Sequence, residues 1–298
     1  MMKRTTKSEQ VFNIINNIFM AVILVIMLYP VVNQIAISLS SDSAILSGKV
    51  NIIPKGFTFV AYKDVVMDKN FVNAFKNTFL YTIAYTVIQM IFTMSFAYPL
   101  SKKNLKGRSV IMTVLIFSMM FGTGGLIPNY LLIKNLHMVD TYWALILPGA
   151  INIWNVIVFK SFFQQIPDSL EEAGKIDGAG VLTIFIKIVL PLSKPVIAAL
   201  TLFTAIAAWS TFFQALIYVP SPEKKLLQVY LNDIMQANII PASQQGDVLS
   251  NAMLEAEKTN SDALKAACLL CTMMPVMATY PFVQKYFMAG LMIGSVKG

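Results

Sequence analysis

Long runs of apolar residues constrain this chain more than any other feature of its sequence. The hydrocarbon core of a bilayer is about 30 Å thick, and a helix needs about 20 apolar residues to cross it. Each such segment must be helical, because a backbone in lipid has to satisfy its own hydrogen bonds. The sequence shows no series of short alternating strands that would predict a barrel. The six predicted transmembrane helices are 13–38, 71–100, 108–127, 141–163, 188–219 and 263–287.

The composition also favours a membrane protein. Hydrophobic residues make up 56% of the 298 residues and charged residues 13%, whereas soluble domains carry about 25% charged residues. A net charge of +8 would suggest nucleic-acid binding in a soluble protein, but the cytoplasmic loops of membrane proteins are enriched in lysine and arginine. No basic stretch is interleaved with aromatic residues for base stacking. We therefore expect the lipid bilayer as a partner, and no nucleic acid.

The distribution of charge among the loops predicts the orientation of the chain. Residues 1–12 carry three basic residues against one acid, and the loop 101–108 carries four basic residues and no acid. The loop 220–262 holds six acids and three lysines. Because basic loops stay on the cytoplasmic side, both termini are expected inside. The expected division is a cytoplasmic tail at 1–12, a transmembrane domain at 13–287, an outward segment at 39–70 with a short surface helix within 57–68, an extracytoplasmic loop at 220–262 and a cytoplasmic tail at 288–298.

The sequence offers no constellation for catalysis or metal binding. His137 is the only histidine, and Cys268 and Cys271 lie in an apolar run, where they are expected to pack in a helix. A structural zinc site needs four ligands. The sequence also lacks the G-x-x-x-x-G-K-[ST] phosphate loop, so the chain is not expected to hydrolyse ATP. We predict no catalytic residue, no metal and no cofactor in this chain.

Two other classes of membrane protein fit the sequence less well. An ion-coupled secondary transporter needs carboxylates or broken helices at membrane depth, and no Asp or Glu lies in the centre of a predicted span. A membrane enzyme needs a cluster of titratable groups, which the spans lack. A transport subunit that receives its energy from another protein fits the sequence better than either class.

The most informative segment is residues 164–195, between the fourth and fifth predicted spans, which we call the elbow. Ser169 with Glu172, and Asp168 with Glu171, match the capping-box pattern that starts a helix. Acidic residues in a first helical turn also suit the positive end of the helix dipole. The sequence therefore predicts a helix that starts sharply near residue 170.

Glycines and prolines predict how the elbow continues. Gly178 and Gly180 are expected to break the first helix. Apolar residues at helical spacing over 181–189 predict a second short helix, which Pro191 and Pro195 should end. A membrane-surface helix would carry basic residues on its polar face, whereas the first half of the elbow is acidic, so a protein partner is favoured.

A pattern in the elbow resembles a known family. The stretch 172–179 reads E-A-G-x-x-D-G-A and is followed by L-P-L and a late proline, which is similar to the EAA loop of ABC-importer permeases. The family form is E-A-A-x-x-D-G-A, and Gly174 replaces its second alanine. The stretches 124–130, 161–163, 280–282 and 284–298 resemble the carbohydrate-uptake branch, and within it the permeases for oligosaccharides and polysaccharide fragments. Residues 209–213 are similar to a W-N-x-x-F pattern, with Ser210 in place of the asparagine.

The resemblance implies a fold and a set of partners. The fold would be all-α and polytopic, with six transmembrane helices of the type I ABC-importer permease. The partners would be a second homologous permease, two cytoplasmic ATPase subunits that bind ATP and Mg, and an extracellular sugar-binding lipoprotein. The location would be a bacterial cytoplasmic membrane. The implied function is import of an oligosaccharide, and the alternative is an ABC permease for a non-sugar solute.

Two sets of site residues follow from this interpretation. In the family each EAA loop docks into a groove of one ATPase, and small residues there allow close approach of backbones. The substrate path is predicted from aromatic and polar residues in or near the spans, although interfacial anchoring or helix packing would explain them equally well. The coupling residues are Glu171, Glu172, Ala173, Gly174, Asp177, Gly178 and Ala179, and the path residues are Tyr130, Asn152, Trp154, Asn155, Trp209 and Gln214.

Overall fold

The computed structural model of the chain describes residues 7–121, 124–236, 262–279 and 281. Every regular element within these ranges is a helix, as the sequence predicts. Half of the predicted tail 1–12 lies within them, and residues 1–6 do not. The greater part of the predicted loop 220–262, the end of the sixth predicted span and the tail 288–298 also lie outside the described residues, so those assignments stay predictions.

The helices are numbered here in chain order. A π-helical segment, Phe185–Val189, lies between α10 and α11, and a 3-10 turn, Pro222–Lys224, precedes α14. The bounds are α1 Lys7–Ser38, α2 Asp42–Leu46, α3 Val60–Met67, α4 Lys69–Ser101, α5 Arg108–Phe121, α6 Leu126–Asn135, α7 Trp143–Ile146, α8 Ile153–Phe163, α9 Asp168–Ile176, α10 Val181–Ile184, α11 Leu190–Leu192, α12 Lys194–Trp209, α13 Phe213–Tyr218, α14 Leu227–Gln236 and α15 Asp262–Thr279.

The chain divides into two compact units. The first contains the described residues up to 69 together with those between 231 and 274. In this unit the segment after α1 is held by hydrogen bonds, because the Ser41 amide donates to the Lys55 carbonyl (3.0 Å) and the Lys55 amide donates to Ser40 Oγ (3.0 Å). Helix α3 occupies the position of the predicted short surface helix, which is therefore confirmed with narrower bounds.

The second unit contains residues 70–230 and 275–298, as far as they are described. Its buried apolar residues form two clusters. One cluster joins α4 to α7 and α13 through residues such as Tyr81, Leu145 and Tyr218. The other joins the end of α4 to α8 and the elbow through residues such as Tyr98 and Phe159. The two clusters therefore lie at different levels along α4.

The predicted spans differ in how continuously they are helical. Helices α1, α4 and α15 are each long and apolar enough to cross a membrane. Two bent pairs also pass this test together: α5 with α6, bent by 116°, and Val181–Leu192 with α12, bent by 82°. The described residues thus hold three such helices, or up to five if each pair counts as one.

The fourth predicted span is the one most altered in the structure. It is divided into α7 and the 11-residue apolar helix α8. The break contains Pro148 and Gly149 and ends at Asn152, whose side chain caps α8. Proline removes a helical hydrogen-bond donor and glycine has low helix propensity, so the apolar run 141–163 is not one continuous helix.

Candidate coupling elbow and translocation cavity

The first helix of the elbow starts as predicted but without the predicted caps. Helix α9 begins at Asp168, directly after Pro167, and no side chain caps its start. The first turn is closed by the backbone instead, since the Leu170 amide donates to the Pro167 carbonyl (3.2 Å). The two predicted capping boxes are therefore wrong. One reason is that the Glu171 side chain is directed to a lysine on another part of the chain.

The end of α9 is a Schellman motif built around Gly178. The Gly178 amide donates to the Lys175 carbonyl (3.0 Å) and the Ala179 amide donates to the Gly174 carbonyl (2.9 Å), the two bonds that define this motif. Gly178 has a φ of 79°, a left-handed conformation that glycine adopts without steric cost. The D-G-A part of the pattern thus sets a fixed turn after α9.

Gly174 allows the two halves of the elbow to pack closely. A Cβ atom at this position would lie 3.0 Å from Ile188 Cδ1 and 3.3 Å from Ile184 Cγ1. Ile184 is buried on the other side of the turn. A larger residue at Gly174 would need its neighbours to shift, so the departure from the family's alanine fits the packing observed here.

The second half of the elbow runs through a π-helical segment before it turns. Helix α10, the segment Phe185–Val189 and α11 follow one another, and the chain direction then changes by 82° at Ser193. Pro191 lies just before this break and Pro195 lies in the first turn of α12. The prediction that prolines end this stretch is confirmed, with the break between them.

The elbow contacts the end of α4 and the turn after it, and we call this set of contacts the elbow junction. Lys102 Nζ forms an ion pair with a Glu171 carboxylate oxygen, and the Gln164 side-chain amide donates to the Ser101 carbonyl (3.3 Å). The Lys102 ammonium also lies 4.6 Å from the centre of the Tyr98 ring. These contacts attach the start of the elbow to a helix that spans the second unit.

The opposite face of the elbow is exposed and partly apolar. Ile176 is 87% exposed, and Val181 and Leu182 are also largely exposed. Glu172 and Asp177 flank this surface and are exposed as well. Large apolar residues on a surface of this kind are typical of a contact with a partner. Of the predicted coupling residues, Glu171 and Gly174 are buried in the elbow, whereas Glu172, Ala173, Asp177 and Gly178 are exposed.

A cavity of about 840 Å³ lies in the second unit. Its aromatic walls include Tyr81, Tyr85 and Phe212, and its polar groups include Asn129 and Gln214. The lining residues carry no carboxylate, ammonium, guanidinium or imidazole group. Aromatic faces with neutral hydrogen-bonding groups suit an uncharged or hydroxyl-rich ligand better than a bare ion.

A buried polar network crosses the unit beside this cavity. Gln89 on α4 donates to the Tyr85 hydroxyl (2.9 Å) and to the Gly149 carbonyl (2.8 Å). Its side-chain oxygen accepts from Thr204 on α12 (2.9 Å), and Asn155 on α8 donates to Thr204 (3.3 Å). In an apolar environment such groups need partners. The network therefore connects α4, α8 and α12 at one level.

The comparisons with known proteins agree with this arrangement. The family model described as "Binding-protein-dependent transport system inner membrane component" matches residues 71–292. This chain belongs to that family. The match includes the elbow, the cavity residues and the polar network, so the features described above are those of a permease.

Individual relatives resemble the permease over almost its whole length. Protein LplC of Bacillus subtilis (strain 168) is 41% identical over 98% of this chain and 97% of its own length. The polygalacturonan/rhamnogalacturonan transport system permease protein YtcP of the same organism is 37% identical over 94% of this chain and 96% of its own. A chain from a crystal structure of a bacterial ABC transporter that imports the acidic polysaccharide alginate is 31% identical, with a TM-score of 0.86 over 96% of this chain and 100% of that chain.

Most of the predicted path residues do not line the cavity. Gln214 lines it. Asn155 is buried in the polar network, and Asn152 caps α8 by accepting from the Asn155 amide. Trp154 is 60% exposed on α8. The remaining two pack against other rings: Tyr130 stacks on Tyr218 with ring centres 6.2 Å apart, and Trp209 meets Phe75 edge-on at 5.4 Å.

Sequence reasoning missed Lys102 and Gln89. A signal for Gln89 was present, because a lone glutamine in an apolar span is costly unless it has partners. Lys102 lies in a basic loop where each lysine is explained by orientation alone, so no sequence signal separates it from Lys103 or Lys106. No group of three or more His, Cys, Asp or Glu that could hold a metal occurs in the ranges that the structure describes.

At the other end of α4 a second polar cluster, which we call the distal junction, joins residues 77–78, 140–142 and 218–227. Lys224 Nζ donates to the Asp140 carboxylate (2.8 Å) and carbonyl (2.7 Å), and Ser221 Oγ donates to the same carboxylate (2.7 Å). The hydrogen bond from Lys224 is the main cause that lowers the pKa of Asp140 from 3.8 to about 2, followed by that from Ser221.

Helix α4 contributes two side chains to the distal junction. The Asn77 amide donates to the Glu223 carbonyl (2.8 Å), and Thr78 Oγ1 accepts from the Leu227 amide (2.7 Å). These bonds satisfy backbone groups of a stretch that has little regular structure of its own. The permease therefore has a polar attachment near each end of α4.

Proposed function

We propose that this permease carries an oligosaccharide, released from a complex glycan or polysaccharide, across the bacterial cytoplasmic membrane after delivery by an extracellular lipid-tethered binding protein. The observation that carries the proposal is the similarity along nearly the whole chain to YtcP, named for polygalacturonan and rhamnogalacturonan transport, and to a chain of the alginate importer. Similarity that continues through the spans and the elbow favours a shared task for the whole subunit.

The cavity supports a sugar as the solute. Tyrosine and phenylalanine rings offer flat apolar faces to sugar rings, and Asn129, Thr211 and Gln214 offer hydrogen-bonding groups. Sugars present both kinds of surface, so a lining that combines them suits an oligosaccharide. The proposal is that part of the substrate path runs through this cavity. Of the path residues predicted from the sequence, only Gln214 lines the cavity.

The second part of the proposal concerns the partners. The permease pairs with a second homologous permease, and two ATPase subunits bind ATP and Mg and hydrolyse the ATP, so this chain needs no cofactor. The exposed apolar face of the elbow, which includes Ile176, Val181 and Leu182, supports docking into an ATPase groove. Glu172, Ala173 and Asp177 border that face and would contact the same partner.

The orientation is the third part of the proposal. Both termini are cytoplasmic, and the elbow and the basic turn after α4 face the cytoplasm. The ion pair between Lys102 and Glu171 supports this, because it places the basic turn beside the elbow, and basic loops stay inside. The distal junction then faces outward.

Reconstituted transport tests the substrate. The complete complex, with its binding protein, is assayed for uptake of oligogalacturonides, rhamnogalacturonan fragments, alginate oligosaccharides and neutral arabino- and galacto-oligosaccharides. We expect at least one glycan to be taken up only when both ATP and the binding protein are present. Uptake of an amino acid or a peptide, with no uptake of any glycan, would instead favour the alternative of a non-sugar solute.

Crosslinking tests the partner and the orientation. A photo-reactive group at Ile176 is expected to crosslink to the ATPase subunit in sealed inside-out vesicles. A group at Glu223, in the distal junction, serves as the matched control and should not reach the ATPase. An elbow that is labelled from the extracellular side would overturn both the docking and the orientation.

A further inference from the structure

We propose that Lys102 is a positioning residue for transport. Its ion pair with Glu171 makes α9 and the end of α4 move as one body, so that displacement of the elbow reaches the cavity wall along α4. The inference rests on the proposed coupling role of the elbow and names the route by which that coupling enters the bundle.

The burial of Glu171 shows why Lys102 matters. The Glu171 side chain is 10% exposed and that of Lys102 is 32% exposed. A nearly buried carboxylate is costly without its cation. Loss of Lys102 therefore leaves Glu171 either without a cation, held only by its hydrogen bond with Tyr98, or turned out to solvent. In either case the contact between α9 and the end of α4 changes. The loss of an ion pair that is exposed to solvent would not change that contact.

Nearby lysines provide an internal comparison. A cleft of about 220 Å³ beside the ion pair is lined by Lys102, Lys103 and Lys175 together with acidic residues. Lys103 and Lys175 are exposed, whereas Lys102 contacts both Glu171 and the Tyr98 ring. The cleft therefore holds one lysine, Lys102, that contacts Glu171 and Tyr98, and two exposed lysines for comparison.

Helix α4 can carry motion because it is continuous from the elbow junction to the cavity. Its 33 residues form one helix, and Tyr81 and Tyr85 on it line the cavity. Tyr85 lies 17 positions before Lys102 in the sequence, which corresponds to about 25 Å of helix. A shift of the Lys102 end thus reaches the cavity wall through one continuous helix, which has Pro99 in its last turn.

The apolar contacts of the elbow junction have a different role. Tyr98 packs against Phe185 of the π-helical segment, with ring centres 4.7 Å apart. Such ring contacts keep the surfaces together but permit sliding, whereas an ion pair to a buried carboxylate fixes one position. We therefore assign the fixed register to Lys102 and Glu171.

The first test measures coupling in the complete reconstituted complex, with the glycan mixture described above as the probe. Lys102→Ala is expected to lower glycan uptake per ATP hydrolysed by about tenfold, within the usual range of coupling energies. Lys102→Arg, and the exchange of Lys102→Glu with Glu171→Lys, should restore most of that ratio. The matched control Lys103→Ala should leave the ratio unchanged. Equal loss in Lys102→Arg and Lys102→Ala, or in both Lys102 and Lys103 variants, would overturn the proposal.

The second test does not require a known substrate. Cys268 and Cys271 are replaced by Ala, and spin labels are placed through Asn104→Cys and Lys175→Cys, at exposed positions on the two sides of the junction. We expect the distance between the labels to stay the same with and without ATP, and its distribution to broaden in Lys102→Ala. A distance that changes with ATP when Lys102 is present, or an unchanged distribution in Lys102→Ala, would refute the shared movement. If the distances behave as expected and no glycan is transported, the substrate proposal is the one that fails.

Discussion

The two ends of α4 are attached to the rest of the permease in different ways. At the elbow junction the attachment depends on one ion pair with a nearly buried carboxylate, and ring contacts surround it. At the distal junction several hydrogen bonds act together, and the Asp140 side chain that accepts some of them is 31% exposed. Asn77 and Ser101, which contribute to the two junctions, lie 24 positions apart, or about 36 Å along the helix.

This difference indicates what each junction can do. The distal junction combines an exposed bond at Asn77, partly buried bonds at Asp140 and a buried bond at Thr78, so the loss of one bond leaves the others in place. Removal of one partner from a buried ion pair is costly. The elbow junction is therefore sensitive to a single change, which is expected of a contact that transmits movement, whereas the distal junction is a tolerant scaffold.

The largest effect is expected at the turn of the elbow. Gly178→Trp places a bulky side chain at a φ of 79°, where a left-handed backbone costs about 1–2 kcal/mol for an L-residue, and on the exposed face proposed to meet the ATPase. Uptake should be lost while the permease still assembles in the membrane and ATP hydrolysis continues.

The control for this variant is Gly107→Trp. Gly107 has a φ of 77° and open space around it, so the backbone strain is matched outside the elbow. Uptake and ATP hydrolysis by the purified complexes are the measurements. Undiminished uptake in Gly178→Trp, or equal loss in both variants, would contradict a special role of the elbow.

The next effect concerns the packing within the elbow. Gly174→Val would place atoms against Ile184 and Ile188, and overpacking of this kind costs about 1–3 kcal/mol. We expect faster hydrogen exchange in α9 and lower uptake per ATP hydrolysed. Gly180→Val is the control, since nothing lies within 4 Å of a Cβ atom there. If Gly174→Val leaves exchange in α9 unchanged, close packing is not what makes the elbow stiff.

A smaller effect is expected midway along α4, between the two junctions. Gln89→Leu removes the hydrogen bonds to Tyr85, Gly149 and Thr204, and such bonds in membranes contribute about 0.6–2 kcal/mol each. The thermal unfolding midpoint of the purified complex should fall. Gln214→Leu, at an exposed cavity position outside this network, should leave the midpoint unchanged and lower uptake. The reverse pattern would show that the network does not stabilise the bundle.

The smallest effect is expected at the distal junction and depends on pH. The pKa of Asp140 is lowered from 3.8 to about 2, so its contribution to stability is fully present above pH 3.8 and is lost as the pH falls through 2. Protection of the Ser221 amide from hydrogen exchange, which depends on its bond to Asp140 Oδ1, should fall over that interval. In Asp140→Asn, whose amide oxygen still accepts but does not titrate, protection should not depend on pH over that interval. Glu223→Gln is the control. A large loss of uptake in Asp140→Asn would remove the contrast between the two junctions.

Local features of the elbow could be predicted from the sequence with good accuracy. The start of α9 near Pro167, the turn at Gly178 and the break between Pro191 and Pro195 all follow from the preferences of single residues. The capping box of Asp168 with Glu171 does not form because Glu171 pairs with Lys102. A side chain that can serve two roles is assigned by its surroundings, which a local pattern does not contain.

The cavity was the least predictable part. The sequence predicts six path residues from their type alone, and of these only Gln214 lines the cavity. Tyr81, Tyr85 and Phe212 line it and are not among the predicted residues. Every apolar span contains such residues, and the face that each one occupies depends on how bent and broken helices pack. Asn152, Trp154 and Asn155 lie at or after the break between α7 and α8, and none of them lines the cavity.

The sequence by itself determined where the chain is apolar and helical, where the elbow turns and which family the chain resembles, because each depends on residues that are neighbours along the chain. Only the tertiary structure decided that Lys102 pairs with Glu171, 69 positions away, that Gln89 joins three helices, and that Asp140 pairs with Lys224. The physical reason is that an ion pair or hydrogen bond forms only between groups that packing brings within about 3 Å. Among many similar lysines and acids, the packing of the helices selects the partners.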